Sequence, residues 1–361
     1  MEKRNDNRNR NSIGNGNGAR GKWALPLIGM LTLALIAGCG GKNAGGDASP
    51  GASGTASAGA SPSAQASTGG ELQKVKYAAF NGVSGLAVHF GAEKGFFKDE
   101  GLDVEFVNAQ NPVAGLTSKD IDIADLATTQ AIVAAGKGAP LKIVSSMFRT
   151  KGAFYLIARP EIKSIEDLKG KKVGAAVFGS GLDAYAQVIL KQHGLSKDDV
   201  TFVANGVNDA AFASLTSGQV DATIIHEPFV SLGEITGKAK LLAKGWDYLP
   251  TFHTGVLVSR TDFVETHPDV VEKLLRAYFK SQEYAKSHLD EYKQYFLTQV
   301  KIDPAAVDKA FEREEVLWKN KPDVDKQALA DTQKIQVELG FQDQVYDVDG
   351  ILDLRYIPKQ P

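Results

Sequence analysis

The chain has 361 residues, with 41 lysines and arginines against 43 aspartates and glutamates, for a formal net charge of −2. That balance offers no basic stripe for nucleic acid, and the single cysteine, Cys39, excludes an intrachain disulfide framework. Hydrophobic residues make up 43% of the chain, and the globular length after Gln73 is long for one core and natural for two lobes.

Lys3, Arg4, Arg8, Arg10, Arg20 and Lys22 precede an apolar run from Trp23 to Gly38. The run falls short of the ~20 residues a membrane-spanning helix needs, and with its basic flank it reads as a secretory leader. At its end Ile36-Ala37-Gly38-Cys39 resembles a bacterial lipobox. Residues 1–38 are therefore expected to be a lipoprotein signal peptide. Cys39 becomes the lipid anchor on the extracytoplasmic side of a cell membrane. Residues 39–72 follow, and from Asn43 to Gly70 they are almost wholly Gly, Ala, Ser, Thr and Pro, with no aromatic and no large aliphatic residue to build a core. They are expected to form a disordered tether with a coil span on the order of 30 Å.

The body then repeats one unit. Val75–Phe80 and Lys172–Phe178 read as strands ending in the glycine loops Asn81-Gly82-Val83-Ser84 and Gly179-Ser180-Gly181. A helix follows each; Leu182, Ala186, Ile189 and Leu190 mark the second as amphipathic. Strands at Gly101–Val107 and Asp199–Val203, short helices, and strands at Ile121–Ala124 and Val220–Ile225 complete the two copies. Leu141–Ser145 is a strand, Met147–Gly152 a crossing, Ala153–Ala158 a strand again, and Thr254–Ser259 a return crossing. From His267 the pattern is helical, with Val270, Val271, Leu274, Leu275 and Tyr278 on one face. Strand–helix alternation with helical crossovers predicts two α/β lobes on mainly parallel sheets, a two-segment hinge, and C-terminal helices packed back on lobe 1 and across the hinge. The expected parts are 73–152 for lobe 1, 153–252 for lobe 2, and 253–361 for the return and the C-terminal helices.

Three stretches carry a resemblance. Lys94-Gly95-Phe96-Phe97-Lys98-Asp99-Glu100-Gly101-Leu102-Asp103-Val104, Ile165–Val173 with its Asp-Leu-Lys-Gly-Lys loop, and Ser217–Ala222 followed by Glu227-Pro228-Phe229 together resemble the solute-binding proteins of ABC importers for aliphatic sulfonates, taurine and nitrate. That family also holds binders of pyrimidine vitamin precursors. The resemblance implies a periplasmic-binding-protein-like (type II) fold, a small organic anion as solute, ABC permease subunits as partners, a monomer, and no catalysis or cofactor. It also implies that the acid before proline, Glu227, faces the cleft and can receive an amine of the ligand.

In parallel sheets the loops at the strands' carboxyl ends bind ligand. That selects Asn81, Gly82 and Ser84 after the first strand, and Thr128 and Thr129 after the third. Lobe 2 contributes Gly179, Ser180 and Gly181, and Asn208 from the Asn205–Asn208 loop. Ser180 combines a hydroxyl with free N–H groups at a helix start, an anion site, or caps its helix with Asp183 three residues on. Arg149, in the first crossing, is a candidate bidentate partner for an anion. Phe80, Phe148 and Phe229 are candidates to stack on a ring.

Two rivals are weaker. A metal site would draw on His226, Glu227 and His253, yet the six histidines are scattered and form no His-x-His motif. An enzyme of the fungal pyrimidine-precursor synthase kind would draw on cysteine and histidine clusters, whereas the one cysteine here is assigned to the anchor, and Gly-Ser-Gly lacks a nucleophile elbow.

Overall fold

The computed structural model describes residues 71–80, 82–83, 85–109, 111–147, 151–319 and 321–359. The leader, the Cys39 lipobox and the tether up to Gly70 lie outside the described residues, as do Asn81, Ser84, Phe148 and Arg149. Among the described residues no helix is long and apolar enough to cross a membrane.

The chain begins β1 (Gln73–Ala78), α1 (Leu86–Glu93), α2 (Phe96–Asp99), β2 (Leu102–Phe106), α3 (Pro112–Ser118), β3 (Ile123–Ala127), α4 (Thr128–Gly136) and β4 (Leu141–Ser146). It passes to the second lobe for β5 (Tyr155–Ala158), β6 (Lys172–Gly174), α5 (Gly181–Gln192), β7 (Thr201–Val203), α6 (Asp209–Thr216), β8 (Ala222–Ile225), α7 (Phe229–Ile235) and β9 (Lys240–Lys244). It returns as β10 (Gly255–Arg260) and ends in α8 (Thr261–Thr266), α9 (Pro268–Ser287), α10 (Leu289–Gln299), α11 (Pro304–Glu314) and α12 (Lys326–Glu338).

Two five-stranded sheets result, ordered β2-β1-β3-β10-β4 and β7-β6-β8-β5-β9. β1 pairs parallel with β2 and β3, and β6 with β7 and β8. In each sheet a single strand runs against its neighbours, β10 in the first and β5 in the second. The mainly parallel expectation and the internal repeat thus meet in one pattern: both sheets share a strand order, and each takes its reversed strand directly after a crossing.

One expected crossing is instead a strand. Gly255–Arg260 lies in the first sheet between β3 and β4, because Val256, Leu257 and Val258 are all buried, as a strand covered on both faces requires. The connection itself is Phe252-His253-Thr254. The expected strand Lys172–Phe178 also stops early, at Gly174. Ala176 turns to φ +58° while its N–H donates to Asn205 Oδ1 at 3.1 Å, leaving Val177 and Phe178 exposed.

The C-terminal helices join the lobes. On α9, started by Pro268, the predicted stripe from Val270 to Tyr278 is buried with Val75, Phe90 and Leu102 in the first core. α9 sits so close to α1 that a Cβ on Gly91 would lie 1.8 Å from Ser281 Oγ. α11 gives Val307 and Phe311 to that core and Arg313 to the second lobe. Ile335 of α12, with Leu339 just beyond it, packs on the second-lobe core, while Leu329 enters a first-lobe cluster with Leu126 and Val256.

Candidate functional site

A cleft of about 410 Å³ opens between the lobes, at the carboxyl ends of β1, β3 and β8. The first lobe supplies Phe80, Gly82, Val83 and Ala127; the second supplies Phe154, Leu182, Val207, Asn208, His226 and Glu227; Thr254 and Glu314 come from the return connection and α11. Of the sequence candidates, Phe80, Gly82, Asn208 and Glu227 are brought together here.

Glu227 follows β8 directly, ahead of a cis Pro228, and its side chain is 0% exposed. Oε2 accepts from Ser231 N–H at 3.0 Å, Oε1 accepts from Ser231 Oγ at 2.9 Å, and Arg313 Nη1 closes an ion pair with Oε1. Arg313 also reaches Glu234 at 2.5 Å and lies over the Tyr155 ring, and Lys309 meets Glu234 at 2.8 Å. Burial nonetheless pushes the Glu227 carboxyl up to about 7, against the pull of Arg313 and with a push from Glu314. Glu227 therefore pairs with a basic neighbour and borders the cleft at once.

Asn208 turns to φ +52° at the start of α6. Asn205 holds the same loop: its amide donates to Ser214 and Thr223 hydroxyls at 2.8 and 2.9 Å. Val207, 44% exposed, is the apolar tip of this loop on the cleft wall. His226 meets Phe154 edge-on, ring centroids 4.8 Å apart.

Gly179, Ser180, Gly181, Thr128 and Thr129 are not among the described lining residues. Ser180 is the N-cap of α5, its Oγ accepting from Asp183 N–H at 3.4 Å. Asp183, buried in the first turn, accepts from Gly179 N–H at 2.9 Å. An acid thus already answers the positive end of α5. Thr128, fully buried, places Oγ1 2.7 Å from His253 Nδ1, and Ser146 Oγ lies 3.0 Å from His253 Nε2. The His253 N–H donates to Thr332 Oγ1 at 2.7 Å. His253 therefore ties α4 and β4 through its ring and α12 through its backbone N–H, and burial lowers the imidazole pKa to about 4. His226, Glu227 and His253 do not form a ligand set: among the described residues no group of three or more His, Cys, Asp or Glu side chains is placed to hold a metal ion. Phe229 belongs to the second-lobe core.

Glu314, Phe154 and Leu182 line the cleft without being site candidates in the sequence, where Leu182 reads only as part of an amphipathic stripe. Glu314 stands on a helix whose spacing reads only as amphipathic, and only the fold sets it beside Glu227.

Two repeated α/β lobes, joined by paired connections and enclosing a cleft at their strands' carboxyl ends, define a bilobal fold of the periplasmic-binding-protein type. The chain belongs to the NMT1/THI5-like family, whose model matches residues 86–292. It is 28% identical over 342 residues to a Bacillus subtilis (strain 168) protein provisionally named an aliphatic sulfonates-binding protein, covering 92% of this chain and 95% of that one. It is 26% identical over 219 residues to the Saccharomyces cerevisiae (strain ATCC 204508 / S288c) 4-amino-5-hydroxymethyl-2-methylpyrimidine phosphate synthase THI13, over 55% of this chain and 62% of the other. Its fold is similar to that of the alkanesulfonate-binding protein SsuA from Xanthomonas axonopodis pv. citri bound to MOPS: TM-score 0.64 at 17% identity, over 80% of this chain and 100% of that one.

Proposed function

We propose that the protein is the extracytoplasmic solute-binding component of an ABC importer. It captures a small organic anion of the sulfonate, taurine or nitrate kind between its lobes and delivers it to the permease. The interlobe cleft carries this reading. It puts Gly82 of one lobe opposite Asn208 and Glu227 of the other, so a bound solute touches both and favours closure, as differential contact requires. Thr128, Thr129 and the Gly179-Ser180-Gly181 helix start lie outside the cleft wall and belong to this reading only as support for the loops that form it. Lipidation of Cys39, a tether from the membrane and a monomeric body belong to this reading, and no catalytic step does.

A second reading, a binder of a pyrimidine or other vitamin precursor in the same transport role, is favoured by one observation. The described lining residues include two carboxylates, Glu227 and Glu314, and the rings of Phe80, Phe154 and His226, but no lysine or arginine. Such a wall suits a donor-bearing ring.

Thermal shift of the body without its leader and Cys39 separates the readings. A ligand at 100 times its Kd adds about 2.7 kcal/mol of stability. Stabilisation by taurine, alkanesulfonates or nitrate supports the first reading, and by pyrimidines alone the second. Response to zinc or nickel only, or steady turnover of any panel member, refutes both.

A further inference from the structure

The polar side chains of the interlobe cleft divide into those already engaged and those left over. Glu227 is engaged through both oxygens, by the Ser231 N–H and hydroxyl and by Arg313, and Glu314 keeps only 2% of its surface exposed. Asn208 and Thr254 differ. Both line the cleft and both are half-buried. Their backbone carbonyls accept from the Phe212 and Thr128 N–H groups at 2.9 and 3.2 Å, but among the described residues neither side chain makes a hydrogen bond.

Asparagine at a helix start ordinarily accepts from a first-turn N–H, yet the Asn208 side chain makes no such bond to α6. Its backbone sits at φ +52°, ψ −120°, the first central position of a type II′ turn, where glycine is favoured. Asn205 fixes this strained loop: its Oδ1 accepts from the Ala176 N–H at 3.1 Å and its amide donates to the Ser214 and Thr223 hydroxyls. Strain of this kind collects at ligand-binding sites. The wall around Asn208 is otherwise apolar and aromatic. Val207 is its exposed tip, Leu182 lies on the same wall, and Phe154 stands edge-on to both Tyr185 and His226, with centroids 4.8 Å apart in each pair.

We propose that the Asn208 amide and the Thr254 hydroxyl are the specificity-determining donors of the cleft, holding two oxygens of the solute's head, while an aromatic body rests on Phe154, Leu182 and Val207. A neutral donor bonding an ionised oxygen forms a charge-assisted bond, so a sulfonate head needs no cation here. The proposal rests on the importer reading and narrows its solute to an arylsulfonate. Nitrate has no body to place, and the ammonium group of taurine meets an apolar wall.

Calorimetric titration of the full-length chain at pH 7 with benzenesulfonate, ethanesulfonate, taurine, nitrate and cytosine tests this. Benzenesulfonate binds most tightly. Thr254→Val keeps the side-chain shape and the carbonyl bond to Thr128, and lowers benzenesulfonate and ethanesulfonate affinity together by about 10-fold, the scale of a lost hydrogen bond to a charged group. Asn208→Gly does the same without lowering Tm, because glycine adopts that backbone freely. Val207→Ser weakens benzenesulfonate more than ethanesulfonate. Unchanged affinity in Thr254→Val and Asn208→Gly overturns the proposal, and a lower Tm for Asn208→Gly then marks its amide as a support of the loop alone. Absence of a benzenesulfonate response also overturns it. Taurine or nitrate binding in its place leaves the importer reading standing, whereas cytosine binding alone overturns the anion reading as well.

Discussion

Arg313→Met should destabilise the protein in a pH-dependent way. Arg313 comes from α11 and is 12% exposed; its partner Glu227 is fully buried. Breaking a buried pair from one side typically costs about 3–5 kcal/mol because a charge is left behind. Glu227 has an escape, since its carboxyl already titrates at about 7 rather than at the usual 4.5. A folded-state pKa raised above the unfolded one means the native protein binds the extra proton. Stability from that proton is complete below about 4.5, falls as pH rises toward 7, and is gone above it. The gap from 4.5 to about 7 corresponds to about 3 kcal/mol at 1.36 kcal/mol per unit. Without Arg313 the carboxyl shifts higher still. At pH 5 Glu227 is protonated with or without Arg313, so the substitution costs only the Glu234 pair and packing on Tyr155, about 1 kcal/mol. At pH 8 the stranded carboxylate brings the cost to about 3 kcal/mol. At 2–4 °C per kcal/mol for a chain of this size, Tm drops by about 2–4 °C at pH 5 and about 6–12 °C at pH 8. Scanning calorimetry of the wild type, Arg313→Met and Arg313→Met/Glu227→Gln reads this directly, the double variant losing most of the pH dependence. An equal drop at both pH values, or no rescue by Glu227→Gln, refutes the reasoning.

Two further outcomes follow from the described geometry. His253→Ala removes the ring that joins Thr128 and Ser146, leaving buried hydroxyls unpaired; urea unfolding should show a loss of about 2–4 kcal/mol at pH 7. Because the folded-state pKa of His253 is depressed to about 4, its stabilisation is present above about 6.5 and is lost as pH falls toward 4. The variant should therefore lose less stability than the wild type over that interval, and parallel curves would refute this. Ser180→Ala should cost about 1 kcal/mol as a lost N-cap and weaken an anionic solute more than a neutral one; equal weakening of both by titration would leave Ser180 with a capping role alone.

The two-lobed plan was legible because its signals are local. Strand, glycine loop and amphipathic helix follow directly on one another within each copy, and the acid before Pro228 ends a strand whose carboxyl end a ligand cleft must use. What was not legible depends on distant pairing. Arg313 meets Glu227 across 86 positions, and nothing in α11 marks Arg313 or Glu314 apart from its amphipathic pattern. Thr128 reads as a loop hydroxyl until the fold brings His253, 125 positions away, against it. Val256-Leu257-Val258 reads as a crossing because an apolar run alone does not reveal which sheet will cover it.

The reversed strand of the first sheet also bears on how the molecule is assembled. The second sheet is drawn from one unbroken stretch, Tyr155–Lys244, whereas the first lacks β10, the strand between β3 and β4, until Arg260. As the chain emerges amino end first, the second lobe has its full set of strands while the first still has a gap in the middle of its sheet. No fragment ending before Gly255 contains the first lobe, and excising 155–244 removes the second sheet without taking a strand from the first.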